Sequence, residues 1–387
     1  MIEIKDTEKC SGCSACYNCC PVGAIVMRAD SKGFKYPQVN KDKCIKCNKC
    51  SNICPVININ KNNNENKSLR KAYACYNKEE KIRLESSSGG VFTLLAIEIL
   101  NQGGIVFGAA LDDEFKVRHI CIKDKVDLYK LRTSKYVQSE INECYKLAKE
   151  YLDKEQKVLF TGTPCQLGGL DAYLGKEYKN LYKQDIICHG VPSPLVWEKY
   201  KEFRKKIDNK KPIYINFRNK DSGWKIYNLM FKYSEEDEYK KNQHEDLFMQ
   251  AFLRDACLRD SCYNCSFKSK DRNTDITLAD FWGIDKIRPE INDDKGLSLV
   301  IVNTEKGMKL FETLKDDLVI YEMDFEESIN YNKSMFKSVA KPKNRDKFFE
   351  NLDKLSFDKL VKKYTINKNG NLLKRIIRKL KKKIKNN

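Results

Sequence analysis

The sequence predicts a small α+β head followed by an α/β domain with a largely parallel sheet. Three observations carry this expectation: a cysteine run that occurs twice in the first 54 residues, a polar low-complexity stretch behind it, and five apolar runs of strand length alternating with helical stretches in the rest of the chain. The expected divisions are a head at 1–57, a linker at 58–69, a module at 70–155, a second module at 156–330 and a helical basic tail at 331–387.

The two runs of the head read Cys10-x2-Cys13-x2-Cys16-x3-Cys20-Pro21 and Cys44-x2-Cys47-x2-Cys50-x3-Cys54-Pro55. Three thiolates spaced by two residues lie on one tight loop and hold three corners of an iron–sulfur cube, whereas the fourth, followed by proline, ligates the other cube. The runs therefore cross-ligate. Cys10, Cys13, Cys16 and Cys54 are expected to hold one [4Fe-4S] cluster, and Cys44, Cys47, Cys50 and Cys20 the other, in a ferredoxin-like dicluster domain. Zinc needs four ligands per ion, usually from two CxxC pairs, and leaves the third cysteine and the proline of each run without a role. Cys19 is read as a small buried apolar residue.

At 387 residues the chain is long enough for two or three domains and for a core that needs no covalent staples. Seventeen cysteines without a signal peptide or an apolar run of membrane-spanning length belong in a reducing compartment, as metal ligands, so a cytoplasmic protein is expected. The formal charge of +19 is not accompanied by any RNA- or DNA-reading motif, and no nucleic-acid partner is expected. Residues 371–387 concentrate that charge, with eight Lys or Arg and no acid, while Leu373, Ile376, Ile377, Leu380 and Ile384 recur at helical spacing. Two readings stand for this tail: a basic amphipathic helix in peripheral contact with an anionic membrane surface, and a solvated helix packed on its own protein.

Behind the linker, ESSSGGVFTLLAIEIL (85–100) sets serines and glycines before an apolar helix. Such a helix start can receive a phosphate on its backbone N–H groups, or simply be capped. A strand is expected at GGIVFGAAL (103–111), then a polar segment containing DLYKLRTSKYVQS (127–139), and a helix to about Lys154. Further strands are expected at KVLFT (157–161), running into GTPCQ, at QDIIC (184–188), ending at HGVPSP, at TDITLADFWG (274–283) and at GLSLVIVNT (296–304). Functional residues of a parallel sheet sit at strand carboxyl ends, which places Thr161 to Cys165 and Cys188 on one rim.

A second group of cysteines belongs to this domain. Cys165 follows one strand, Cys188 closes another, and CLRDSCYNC supplies Cys257, Cys262 and Cys265. Cys165, Cys188, Cys262 and Cys265 are taken as the ligands of a third cluster, with Cys257 in reserve. The competing reading is several unrelated buried thiols. Cys75, Cys121 and Cys144 have no partner pattern and are assigned to packing. Lys135 and Arg132 can meet a phosphate or an anionic flavin, or belong to a solvated loop. His189 is read as a hydrogen-bonded structural residue, with acid–base and cluster-neighbour roles as alternatives. Trp282 is either a flavin-stacking ring or core.

SSSGGVFTLLA, LRTSKYVQS, VLFTGTPCQLGGL, DIICHGVPSP, CYNCSFK and DITLADFWGI stand in this order across residues 70–310. In this the sequence resembles the coenzyme F420 hydrogenase/dehydrogenase beta-subunit family, and specifically members with a fused ferredoxin domain. The resemblance implies an oxidoreductase module that binds FAD, exchanges hydride with a deazaflavin, coenzyme F420, and passes single electrons to iron–sulfur clusters and a redox partner protein. It also implies that Ser88, Gly89 and Gly90, and Thr161, Gly162 and Thr163, are flavin-site residues, and that Cys165, Cys188, Cys262 and Cys265 bind the module's own cluster. CHGVPSP and CLRDSCYNC look more like a bacterial branch often found among polysaccharide-biosynthesis genes, whose members need not use the deazaflavin. The alternatives are a non-enzymatic ferredoxin-type carrier that binds no flavin, and a membrane-surface subunit of a larger oxidoreductase.

Overall fold

The computed structural model describes residues 1–4, 6–58 and 69–365. Most of the linker and the whole basic stretch 371–387, with both readings of that tail, lie outside the described residues. Among the described residues no helix is long and apolar enough to cross a membrane.

In the head the sequence repeat is also a backbone repeat. Gly12 and Lys46 take φ of +70° and +54°, and Ser14 and Asn48 take +65° and +59°, at equivalent places in the two runs. Left-handed backbone at a non-glycine residue costs on the order of 1–2 kcal/mol, and here it curls each loop so that its cysteines face inward. The short helices Ala15–Cys19 and Lys49–Asn52 follow. Strands β1 (Ile25–Ala29) and β2 (Lys35–Val39) pair antiparallel. In their turn Asp30 Oδ1 accepts from the N–H of Lys32 and of Phe34 at 3.0 and 2.9 Å. That turn docks the head: Phe34 is fully buried in the core of the following domain, and a Cβ on Gly33 would lie 2.3 Å from that of Leu195.

The main domain is built on eight strands: β3 (Lys71–Asn77), β4 (Ile105–Leu111), β5 (Val117–Ile122), β6 (Val158–Gly162), β7 (Leu181–Ile186), β11 (Ile276–Asp280), β12 (Ser298–Val302) and β13 (Leu318–Met323). Their order is β13-β3-β12-β11-β7-β6-β4-β5. The four contiguous strands β11, β7, β6 and β4 are parallel, and the remaining pairings are antiparallel. The sheet is thus mixed around a parallel core. One sheet draws strands from both 70–155 and 156–330.

Strands covered on both faces read as unbroken apolar runs, which is why β6 and β12 are visible in the sequence. On one face the helices Val91–Asn101 and Glu305–Glu312 pack Leu95, Ile99 and Phe311 over Val106, Leu159 and Val300. On the other, Cys144–Asp153 and Pro164–Leu174 pack Tyr145, Ala148, Leu167 and Leu170 over Phe107 and Phe160.

Two of the expected strands shift. The one expected at 184–188 begins earlier and ends at Ile186, so Cys188 lies beyond the strand instead of closing it. The polar opening of β7 masks it: Lys183 reaches across to Asp171 at 2.9 Å, an ion pair that lets a charged residue sit in a covered strand. The one expected at 274–283 is confined to Ile276–Asp280, because the chain turns at Trp282 and Gly283, the latter at φ +85°.

A second, three-stranded antiparallel sheet, β10-β9-β8, combines β8 (Tyr214–Asn219), β9 (Asn228–Lys232) and β10 (Glu238–Asn242). With the helices Pro194–Asp208, Leu247–Leu253, Arg345–Glu350 and Phe357–Tyr364 it encloses an aromatic core around Trp197, Tyr200, Phe217, Phe231 and Phe248.

Candidate functional site

The twelve cysteines singled out in the sequence line three cavities, four to each. Cys10, Cys13, Cys16 and Cys54 line one. Cys20, Cys44, Cys47 and Cys50 line a second. Each run thus places three thiols in its own cavity and its fourth in the other. Apolar side chains make much of the remaining walls, Ile2, Ile4, Met27 and Pro37 in the first and Val22, Ile25, Val39 and Ile45 in the second, with Lys9, Ser11 and Ser14 in the first and Asn48 and Lys49 in the second as polar members. Backbone amides point at the sulfurs: the N–H of Ile2 donates to Cys50 Sγ and that of Ala24 to Cys20 Sγ, both at 3.2 Å. Burial pushes the Cys13 thiol up to about 12, so a bare thiolate is disfavoured there. Four soft donors in a cavity without a carboxylate suit an iron–sulfur cube, whose irons supply the compensating charge.

The third cavity is lined by Cys165, Cys188, Cys262 and Cys265. Cys165 stands in the first turn of the Pro164–Leu174 helix. Cys188 follows β7, and Cys262 and Cys265 come from the turn at Asp260–Asn264. Burial pushes Cys188 up to about 12 and Cys262 up to about 11, with the neighbouring thiols adding to the rise and Lys268 opposing it. Lys268 donates to the carbonyls of Cys188 and Ser334 at 2.6 and 2.7 Å, which fixes a cation at the rim. Cys257 does not line this cavity; it is fully buried in the aromatic core. His189 lines it, with Nε2 2.6 Å from Asp255 Oδ1.

The first and third cavities share a wall. Lys9, Ser11 and Val56 line both.

The expected flavin residues lie along the carboxyl-end rim of the parallel strands. Gly90 caps the Val91–Asn101 helix at φ +84°. Gly89 has no room for a side chain, since a Cβ would lie 2.3 Å from the Cys75 carbonyl. Ser88 donates to the Leu297 carbonyl at 2.8 Å, and Thr161 donates to that of Phe107 at 2.9 Å. Thr163 caps the Pro164–Leu174 helix, sharing a capping box with Gln166, and its hydroxyl is 3.1 Å from Cys165 Sγ. A Cβ on Gly162 would meet Gln166 Oε1 at 3.0 Å.

Lys135 is turned back on its own loop, donating to the carbonyls of Lys130 and Arg132, and desolvation pulls it down to about 7. Arg132 pairs with Glu85 at 2.7 Å. Trp282 stacks on Trp224, rings 5.2 Å apart and inclined by 3°.

The LRTSKYVQS segment ties these parts together. Ser134 N–H donates to Ser87 Oγ at 2.7 Å, on the serine–glycine side. Ser139 Oγ bonds His119 Nδ1 at 2.8 Å and accepts from Gln166 Nε2 at 2.9 Å, on the β6 side. Between them Gln138 Nε2 donates to the Ser11 carbonyl of the head at 3.2 Å.

Comparison with known families settles the affiliation. The N-terminal part of the coenzyme F420 hydrogenase/dehydrogenase beta subunit matches residues 72–146, and its C-terminal part matches 155–328. A 4Fe-4S dicluster domain matches residues 9–58. The chain belongs to the coenzyme F420 hydrogenase/dehydrogenase beta-subunit family. It is an iron–sulfur member of this family of oxidoreductase subunits, with the dicluster domain at its N-terminus. Among solved structures, a chain of the F420-reducing [NiFe] hydrogenase complex from Methanosarcina barkeri, studied by xenon derivatization, is similar at 14% identity and a TM-score of 0.45, over 69% of this chain and 90% of that one. No curated protein matches the sequence.

Several residues of this beta-subunit fold escape a reading of motifs. Lys220 is buried and donates to the carbonyls of Arg83, Ser88 and Lys295 at 2.7, 2.9 and 2.7 Å, clamping the serine–glycine turn. Arg259 and Gln138 touch the Cys10 loop from elements distant in sequence, and Lys268, beside Cys265, reaches the Cys188 carbonyl 80 positions away. Gln138 lies inside LRTSKYVQS, Lys268 ends CYNCSFK and Arg259 stands in CLRDSCYNC, but nothing in those segments marks the contacts the three residues make.

Proposed function

We propose that this chain carries electrons between a hydride donor and a redox partner protein, with FAD at the sheet rim and three [4Fe-4S] clusters in series. The observation that carries the reading is the set of three four-thiol cavities, of which the first and third share the wall formed by Lys9, Ser11 and Val56. A flavin supplies exchange between a hydride and single electrons, and each cube supplies one-electron transfer. In this reading Cys165, Cys188, Cys262 and Cys265 hold the cluster nearest the flavin. The Cys10, Cys13, Cys16 and Cys54 set comes next. The Cys20, Cys44, Cys47 and Cys50 set is the exit, and Cys47 is exposed there.

The flavin is assigned to Ser88, Gly89, Gly90, Thr161, Gly162 and Thr163, with Lys135, whose amine is held by the carbonyls of its own loop, as a further contact. The hydride donor is a deazaflavin of the coenzyme F420 type, and the direction of flow is set by the partner. No nucleophile or general base of the chain is required.

One observation favours a second reading, an electron carrier without flavin: the hydroxyls of Ser88 and Thr161 are already donated to backbone carbonyls. Cofactor analysis of protein purified anaerobically separates the two. The first reading expects one FAD per chain, reduced faster by a deazaflavin than by NADH or NADPH. Iron-loaded protein with no flavin after supply of FAD supports the carrier and removes the oxidoreductase role from the rim.

A further inference from the structure

Two arginines with no solvent exposure flank the segment that carries Cys262, and they differ in one respect. Arg345 has a carboxylate partner, with Nη1 2.8 Å from Asp260 Oδ1. Arg259 has none among the described residues. The adjacent Asp260 is turned to Arg345, Lys341 and Lys32 instead. A guanidinium taken out of water without a counter-ion is costly, so its surroundings show what offsets it.

Those surroundings belong to the head. Arg259 Nε donates to the Cys10 carbonyl at 2.8 Å, Nη2 to the Lys35 carbonyl at 3.0 Å, and Nη1 to Gln138 Oε1 at 3.0 Å. Nη2 also lies 3.7 Å from Cys10 Sγ. The loop of Cys10 and Cys13 is pressed onto the charge, since a Cβ on Gly12 would sit 2.9 Å from the guanidinium carbon. Tyr36 covers one side, its ring centre 4.3 Å from that carbon. Through its backbone Arg259 also reaches the third site, its carbonyl accepting from Cys262 N–H at 3.0 Å.

We propose that Arg259 is the fixed counter-charge of the cluster held by Cys10, Cys13, Cys16 and Cys54, and that it makes this set the acceptor for electrons from the Cys165, Cys188, Cys262 and Cys265 set. The inference rests on the electron relay proposed above. One electron leaves the third site, which is oxidised, and enters the first, which is reduced; no bond or proton changes place. A cube held by four thiolates is anionic and gains one negative charge on reduction. A buried cation beside it therefore favours the reduced form and raises the potential.

The test is a redox titration of the full, iron-loaded chain followed by EPR, with the signal of this cluster identified as the one lost in Cys10→Ser. In Arg259→Gln its potential is expected to fall by at least ~59 mV, the one-electron equivalent of a tenfold change in equilibrium constant. The signal of the Cys20 set should stay in place, that of the third site, whose Cys262 is bonded to the Arg259 carbonyl, should move less than that of the Cys10 set, and Arg259→Lys should retain most of the parent potential. Gln138→Glu provides a second route that leaves Arg259 in position: it sets a carboxylate against Nη1, neutralises the cation, and should lower the same potential alone. An unmoved potential in Gln138→Glu, or in iron-replete Arg259→Gln, overturns the proposal. An equal fall in Arg259→Lys and Arg259→Gln overturns it too, because geometry and not charge would then be responsible. A parent chain that takes up no iron at the Cys10 set shows instead that the relay itself is wrong.

Discussion

Gly169 sits directly under Cys13: a methyl group built on Gly169 would lie 2.8 Å from Cys13 Cβ and 3.1 Å from its sulfur. Gly169 belongs to the helix Pro164–Leu174, which carries Cys165 one turn earlier and on the same face. A ligand of the first thiol site is thereby seated on the helix that supplies a ligand to the third.

Gly169→Val is expected to lift the head from that helix. Overpacking of a closed contact costs on the order of 1–3 kcal/mol, and the Tyr145 hydroxyl, also 2.8 Å from the added carbon, blocks escape sideways. The variant should lose stability in urea and lose the EPR signal of the Cys10 set while keeping that of the third site. Parent stability together with all parent signals would show that the head does not bear on this helix.

Cross-ligation makes Cys20 a member of the distant cavity. Cys20→Ser should therefore abolish the same EPR signal as Cys44→Ser, and leave the signal that Cys10→Ser removes. Should Cys20→Ser and Cys10→Ser delete one common signal, each run holds its own cluster and the pairing described here is wrong.

Lys220 links pH to the serine–glycine turn. Desolvation lowers it from its ordinary 10.5 to about 7 in the folded chain. Between those values the unfolded chain binds more protons than the folded one, so stability rises with pH across this window and is lost as pH falls toward 7. Lys220→Met removes that slope and strands the carbonyls of Arg83, Ser88 and Lys295, at about 1–3 kcal/mol for each that is buried and finds no other donor. Urea midpoints at pH 7 and pH 9.5 check both effects. Parallel pH profiles for parent and variant would mean that Lys220 keeps its proton throughout.

The cysteine runs are legible in the sequence because their thiols are brought together by local backbone. Strands β4, β6 and β12 are legible because burial on both faces demands unbroken apolar runs. Strands β8 to β10 are not, since segments such as EYKKN at Glu238–Asn242 are half-exposed and rich in lysine. Contacts between distant elements are also hidden. Arg259 and Cys10 are 249 positions apart, and neither the charge nor the cysteine announces its partner. The carbonyls that Lys220 clamps come from two segments that only the folded sheet brings side by side.

The most direct test of the account is iron and acid-labile sulfide per chain, measured on anaerobically reconstituted full-length parent, Cys262→Ser and Cys257→Ser proteins. Three cubes in three thiol-lined cavities predict about twelve irons in the parent. Cys262→Ser should hold about eight, and Cys257→Ser, altered in the aromatic core away from the cavity, should hold as many as the parent. A parent with about eight irons, unchanged by Cys262→Ser, would contradict the account, because the third cavity would then hold no cluster.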